Sequence, residues 1–378
     1  MEPKPQTADD AVPLRVILAS SQVGWGGGEV YLSTLARELR ERDVDVTFIV
    51  RADSLLHQHV SDTDYPVKPL RGIGRNPLEL WRLRKWLRTL GRVILHCNDS
   101  HSLTSTGIAA AGLESVDVVA MRHTMFKIRS VTKYRRLSDR IICVSNAVAD
   151  ECRKQGVPDR WLQVVHSGVD VPQVDPVEVQ QLRESFLPTP RHQLIVAVGN
   201  LLACKGHTIL VNAVAELKQQ RLLTKTLIAG EGRERAALES RINELGLHDE
   251  IQLLGFRNDA NTLLAAADVV AHPALEEGLC LTVAAAMMLE RPIVATSSGG
   301  LADVLGIDPR MKADGPFASI TPPDNHIQLA KCLREQLDSP PAPARLAAAR
   351  EFALNHFTTQ HVVDGTIAVY RDIQSTSE

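Results

Sequence analysis

Apolar residues in this chain fall into short solid runs separated by longer stretches in which they recur every three to four positions. The runs Leu14–Ala19, Asp45–Val50, Val93–His96, Val116–Met121 and Arg140–Val144 occupy the first half, and Val164-Val165 leads into His166–Asp170. Leu194–Val198, Lys225–Ala229, Ile251–Leu254, Val269–Ala271 and Ile293–Ala295 occupy the second. A solid run of this length fits a strand covered on both faces, as in a parallel sheet. Between the runs the spacing is helical. A helix continuing to about Arg42 presents Val30, Leu32, Leu35, Ala36 and Leu39 on one face, and Pro77–Leu90 presents Leu80, Leu83 and Leu87. Thr208–Gln219 and Thr282–Leu289 read the same way. Strands alternating with helices predict α/β architecture with parallel sheets. The clearest unit is Asp268–Leu305: strand, polar turn, helix, strand, Ser-Ser-Gly-Gly turn, helix start. Its loops Glu276–Cys280 and Ser297–Gly300 fall at the carboxyl edge of the predicted sheet, where ligands of such sheets bind and helix N-termini offer free N–H groups to anions.

At 378 residues the chain is long enough for two α/β domains. The Pro-rich, charged stretch Pro172–Arg191 reads as the connection, and Phe352–Ile373 as a helix that returns to the first half. The expected division is 1–175, 176–355 and a C-terminal helix over 356–378. Six cysteines are scattered without a CxxC pair, which predicts neither a zinc site nor a disulfide framework and favours a reducing, cytosolic compartment. The N-terminus MEPKPQTADDAVP is acidic and Pro-rich rather than a signal peptide, and no run of 18 apolar residues occurs, so a soluble protein is expected.

Charge changes this picture locally. The formal net charge is −3, yet Pro66–Arg140 holds fifteen Lys/Arg against five Asp/Glu, a local +10. Such a field attracts phospholipid, phosphorylated glycan or nucleic acid. No nucleic-acid module is recognisable, which leaves an anionic membrane surface or glycan as the expected partner. Trp81 and Trp86 among Arg82, Arg84, Lys85 and Arg88 suit a headgroup layer; they suit equally an amphipathic helix with its tryptophans in the core.

The loop after the first run, Ser20-Ser21-Gln22-Val23-Gly24-Trp25-Gly26-Gly27-Gly28-Glu29, requires a close backbone approach. It is not a dinucleotide fingerprint: the third glycine would fall on Glu29, and the next strand leads to Arg51 instead of a ribose-binding acid. Taken with the GNLLACKG loop opening the second half, GEG at 230–232, GF at 255–256 and HPALEEGL…AAAM…PIV…GG, it resembles the GT-B glycosyltransferases. The specific likeness is to the large retaining, nucleotide-sugar-dependent group, family 4-like or "group 1".

That resemblance implies two facing Rossmann-like domains with the active site in the cleft between them. It implies a nucleotide-diphosphate sugar as substrate, no cofactor and no metal, the leaving diphosphate being neutralised by cationic side chains and helix N-termini. By position, Lys205 matches the lysine on the donor diphosphate, His123 the histidine near the transferred sugar, and Glu277 the acid holding the sugar hydroxyls. Gly278, Leu279, Cys280 and Leu281 match backbone near the phosphates, and Gly26, Gly27, Gly28 and Glu29 the acceptor-side glycine loop. Two positions depart. Asn200 stands in the donor site where the family has a phosphate-binding arginine, and Ala285 where it has a second glutamate on the donor ribose. A missing ribose carboxylate forfeits on the order of 1.5–3 kcal/mol, about ten- to a hundred-fold in affinity. The expected function is sugar transfer to a glycan or glycolipid acceptor, of lipopolysaccharide-core or lipid-linked type, at the cytoplasmic face of a membrane. The alternatives are a non-catalytic GT-B protein that binds a partner enzyme or a glycan, and another GT-B activity such as epimerisation or phosphorolysis.

Overall fold

The computed structural model describes residues 14–71, 76–307 and 316–376. The apolar runs form two parallel sheets. The first contains β1 (Arg15–Ser20), β2 (Asp45–Arg51), β3 (Val67–Leu70), β4 (Val93–Cys97), β5 (Val116–Arg122), β6 (Arg140–Cys143) and β7 (Leu162–Val164), in the order β3-β2-β1-β4-β5-β6-β7. The second contains β8 (Gln193–Val198), β9 (Thr224–Ala229), β10 (Ile251–Gly255), β11 (Val269–His272), β12 (Ile293–Thr296) and β13 (Ser319–Thr321), in the order β10-β9-β8-β11-β12-β13. Each order reverses direction once, beside β1 and beside β8, and a crevice opens at the carboxyl ends where it does so.

Alternation along the strands explains why the runs are solid. In β8, Leu194 and Val196 enter one core while Ile195 and Ala197 enter the core on the opposite face. Ile293 and Ala295 in β12 go with the first pair, and Val294 goes with the second. Each face is then closed by helices, so no position in these strands is left to be polar.

The predicted boundaries hold to one or two residues at most elements. The differences have physical causes. Strands β3 and β13 are too short and mixed to show a run, since Val-Lys-Pro-Leu and Ser-Ile-Thr carry few apolar residues. Helix Ser100–Ala110 is built from Ser, Thr, Gly and Ala, so it lacks an apolar stripe, yet Asp99 caps it by accepting from His101 N and Ser102 N. Phe352–Ile373 is not one helix. It breaks into Pro343–His356 and Thr359–Thr376, because Phe357 and Thr358 turn to pair with the connection between the halves. Val169 N donates to Phe357 O at 2.8 Å, Thr359 N donates to Val169 O at 3.2 Å, and a Cβ on Gly168 would lie 2.3 Å from Thr358 O.

After that turn the last helix buries Val362, Val363, Val369, Tyr370 and Ile373 in the core of the first sheet. Tyr370 is fully buried, and its hydroxyl meets His96 Nδ1 at 2.8 Å beneath β4. Arg92 Nη2 donates to Gln374 O at 2.6 Å. We therefore expect Tyr370→Ala to cost about 3–5 kcal/mol in chemical denaturation, the range for an emptied aromatic site. Asp364→Ala on the exposed face of the same helix, which loses a 3.5 Å ion pair to Arg42 and a 3.2 Å hydrogen bond from Gln360 Nε2, should cost less than about 1 kcal/mol.

Candidate functional site

The carboxyl ends of the first sheet bring together three segments. The glycine loop ends at Gly26, which starts helix Gly27–Arg40; Glu29 reaches back to accept from Gly26 N at 3.1 Å and from Ser20 Oγ at 3.3 Å. At the end of β4, Asn98 links two of these segments. Its Nδ2 donates to Gly28 O at 3.0 Å, which leaves Oδ1 facing His123 Nε2 at 2.7 Å as an acceptor. The His123 proton is therefore on Nε2, and Nδ1 is left as an acceptor. Burial pushes His123 down to about 4, so the ring is neutral at physiological pH. Tyr31 packs edge-on against it, with ring centroids 5.3 Å apart. A cavity of about 810 Å³ opens here, lined by Gly28, Asn98, His123, Phe126, Lys127 and Arg129 among others.

The second sheet brings four side chains together, Lys205 and His272 on the Glu277 carboxylate and Cys280 on His272. Lys205 lies in the turn after β8, and Lys205 Nζ donates to Glu277 Oε2 at 2.5 Å. His272 ends β11, and its Nε2 lies 3.2 Å from the same oxygen and 3.3 Å from Cys280 Sγ. Burial opposes the charge on Glu277, but His272 and Lys205 more than offset it and hold the carboxyl below its ordinary range. Burial alone would lower His272, yet Cys280 and Glu277 around its ring raise it to about 9. The loop that carries Lys205 is fixed by Leu275 N and Glu276 N, which donate to Cys204 O. Gly206 adopts φ +70°, and a Cβ there would lie 2.0 Å from Pro273 O. Asn200 is exposed at the end of β8, and Cys280 precedes helix Leu281–Met288 without capping it.

These two groups face each other. A Cβ on Gly278 would fall 2.1 Å from the carbonyl oxygen of His123, so the backbones of the two halves touch where the predicted catalytic residues lie. Leu281 and Gly27 line a second, small cavity of about 30 Å³. Asp303 Oδ2 accepts from Asn146 N at 2.6 Å and lies 3.0 Å from His166 Nε2, a second contact between the halves. His272, Glu277 and Cys280 are, among the described residues, one cluster whose ligand atoms all lie within 4.8 Å of one another. A cation there would have to share Glu277 Oε2 with the Lys205 ammonium, which disfavours it.

Sequence reasoning had missed Asn98 and His272. Both stand at strand ends, in HCND and AHPA, and that position was the available signal.

Residues 25–173 match the model of Glycosyltransferase Family 4, and residues 192–339 match that of Glycosyl transferases group 1. The chain belongs to the group 1 glycosyltransferases. Among relatives of this group, it is 31% identical over 225 residues to 2-deoxystreptamine glucosyltransferase of Streptomyces kanamyceticus, covering 58% of this chain and 56% of that protein. It is 30% identical over 238 residues to D-inositol 3-phosphate glycosyltransferase of Mycolicibacterium smegmatis, covering 62% and 52%. These matches span about half the length of each relative. HepE of Anabaena, solved with UDP-glucose, superposes with a TM-score of 0.80 at 20% identity over 95% of this chain and all of that one. The fold is GT-B: two Rossmann-like sheets whose carboxyl ends meet.

In this group 1 glycosyltransferase three histidines are held neutral, His96 and His207 buried and His123 half-buried. Burial lowers His96 to about 3, and His123 and His207 to about 4, against 6.5 for a free imidazole. The unfolded chain therefore binds protons first as pH falls. The stability tied to neutral rings is present above about 6.5 and is lost as pH drops toward 4, at up to about 1.4 kcal/mol per pH unit for each ring. His272 does not counter this, because the stability its raised value brings is fully present below about 6.5 and is lost only as pH rises toward 9. Urea midpoints measured at pH 7, 6 and 5 should fall steeply; a flat profile would show that these rings are not buried neutral.

Proposed function

We propose that this chain is a retaining glycosyltransferase that moves a sugar from a nucleotide-diphosphate sugar to a glycan or glycolipid acceptor. The observation that carries this reading is the cluster at the end of β8 and β11, where Lys205 and His272 share one Glu277 oxygen in the cleft. Lys205 brings an ammonium to the cleft beside this carboxylate, and a cation placed there suits a leaving diphosphate. HepE, with the same fold, was solved with UDP-glucose, which supports a nucleotide-sugar donor. In this reading Lys205 Nζ meets the diphosphate and Glu277, held ionised, accepts from the sugar hydroxyls. The uncapped N–H groups at the start of helix Leu281–Met288 add partial positive charge. His123, neutral with an open Nδ1, accepts a hydrogen bond from the transferred sugar and does not act as a cation. The ammonium beside Glu277 takes the place a metal would need, which supports a metal-independent mechanism.

Ala285 favours a second reading, a non-catalytic GT-B protein that binds a partner enzyme or glycan. This alanine is 3% exposed inside an apolar core, so no carboxylate grips a ribose from that position.

Donor binding decides between the two. A panel of sugar nucleotides screened by thermal shift should identify a donor that stabilises the fold. Lys205→Ala should then lose turnover by at least a hundred-fold while the chain stays folded. If that variant keeps half of the wild-type rate, the assignment of Lys205 is wrong; if no nucleotide sugar binds, the non-catalytic reading stands.

We further propose that the protein acts on a lipopolysaccharide-core or lipid-linked acceptor as a peripheral protein at the cytoplasmic face of a membrane. No helix of the described residues is long and apolar enough to cross one. Helix Pro77–Leu87 turns Leu83 and Leu87 inward and leaves Leu78 and Trp81 half exposed beside Arg82, Lys85 and Arg88. Trp86 is instead packed on the core with Lys68 over its ring, and Arg84 donates to Ala109 O and Ala111 O, so neither is free for a headgroup. Each remaining cation contributes roughly 1 kcal/mol near an anionic bilayer. Binding to anionic vesicles should weaken sharply with salt, and changing Arg82, Lys85 and Arg88 together to Gln should abolish it without altering nucleotide affinity. Equal sedimentation with neutral and anionic vesicles would remove the membrane.

A further inference from the structure

The large cavity in the first half has an unbalanced set of charges. Its two carboxylates are already engaged. Asp99 accepts from Ser21 N at 2.8 Å, from Ser21 Oγ at 2.5 Å, from His101 N at 2.8 Å and from Ser102 N at 2.9 Å. Glu29 is 4% exposed and is taken up by the glycine loop, as described above. The cations differ. Among the described residues, the side chains of Lys127 and Arg129 make no ion pair or hydrogen bond, yet both line the cavity. Lys133, beside them, donates from Nζ to Ser100 O at 2.8 Å.

The loop that carries the two cations is built and not loose. Arg122 lies under it, with Nη2 donating to Thr124 O at 3.3 Å and also to Phe126 O. Ile128 N donates to Gln155 Oε1 at 2.5 Å, and Ser130 Oγ accepts from Lys133 N at 3.2 Å. Phe126, 65% exposed, adds an apolar ring to the same wall. A polyamine would meet two unpaired cations here and no free carboxylate, and a neutral sugar would leave both cations without a partner. An anion would pair with both.

We infer that the cavity takes an acceptor carrying a phosphate or a comparably charged anionic group, held by Lys127 and Arg129, with its ring against Phe126 and its reacting hydroxyl toward His123. This rests on the reading of the first half as the acceptor side. It separates the two relatives described above: of their printed acceptors, a phosphorylated cyclitol fits this charge pattern and an aminocyclitol does not.

The test is titration calorimetry of the whole chain saturated with UDP, using glucose 6-phosphate, glucose, 2-deoxystreptamine and phosphatidylglycerol vesicles as titrants. Glucose 6-phosphate should bind at least ten-fold tighter than glucose, and 2-deoxystreptamine should be weakest. Lys127→Gln with Arg129→Gln should abolish the preference and leave both UDP binding and the melting temperature unchanged, since neither side chain supports the fold. Vesicle binding that depends on Lys127 and Arg129, with no binding of the soluble phosphate, would also support the site and identify a lipid headgroup as the source of the anion. Equal binding of glucose and its phosphate, tighter binding of the aminocyclitol, or an undiminished preference in the double variant would overturn it. Failure of UDP to bind the wild type would instead strike the donor reading and leave this comparison to be run without nucleotide.

Discussion

Every other feature of the cleft depends on one backbone contact. Gly278 and the carbonyl of His123 approach so closely that a Cβ at 278 would overlap the oxygen. That approach sets the distance between the two sheets at the point where Lys205, Glu277 and His123 lie. The loops behind Gly278 are packed for the same closeness. Gly300 N donates to Glu277 O at 2.9 Å, and a Cβ on Gly300 would fall 1.9 Å from Gly278 O. Asp303, one turn further on, joins Asn146 and His166 of the first half. A larger residue at 278 would move the halves apart and would separate the two charge clusters before it disturbed either core.

Burial poses the same electrostatic problem at both places, and they answer it by opposite means. In the second half, burial penalises ions, and the penalty is offset by packing Lys205, His272 and Glu277 onto one another, so that all three hold charge. In the first half His123 has, among the described residues, no carboxylate partner within hydrogen-bonding distance; it has an amide, and burial leaves it neutral. A charged cluster that holds the Lys205 ammonium faces a neutral acceptor of hydrogen bonds across the cleft. The first suits a departing anion and the second suits a hydroxyl-bearing ring.

Much of this was legible in the chain, for reasons that can be stated for particular residues. Strands buried on both faces must be apolar throughout, so Leu194–Val198 and Val269–Ala271 announced themselves, and with them the carboxyl edges that carry Lys205 and Glu277. Edge strands and small-residue helices carry no such signature, and β3, β13 and Ser100–Ala110 were silent for that reason. The break at Phe357 was hidden because it is set by pairing with Val169, about 190 positions away in sequence, and helical periodicity cannot register a distant partner. Asn98 and His272 were missed because each acts on another side chain. Nothing in a linear pattern says that an amide at one strand end will orient a ring at the next, whereas the parallel order β4-β5 places them side by side. Lys127 and Arg129 were visible only as part of a basic stretch. Their distinction from Arg84 and Arg122, which are committed to backbone carbonyls, exists only in three dimensions.

Ala285 is the point where packing and chemistry have to be read together. Helix Leu281–Met288 buries every residue from Val283 to Met288, and it packs against Ala349 and Ala353 of helix Pro343–His356 and against β12. A helix that is apolar all round belongs to an interior, and a carboxylate at 285 would pay desolvation there unless a ligand or a cation met it. The alanine is therefore what this core requires, and the charge it omits has to be supplied or made unnecessary elsewhere. Asn200 removes a cation from the same site, so the chain lacks one acid and one base relative to the pattern it resembles, and the local balance is unchanged. What remains is concentrated on Glu277, where Lys205 and a His272 raised to about 9 both stay protonated at neutral pH. Under the proposed reading, donor binding rests on that compact pair and on the N-terminus of helix Leu281–Met288 instead of on contacts spread along the nucleotide.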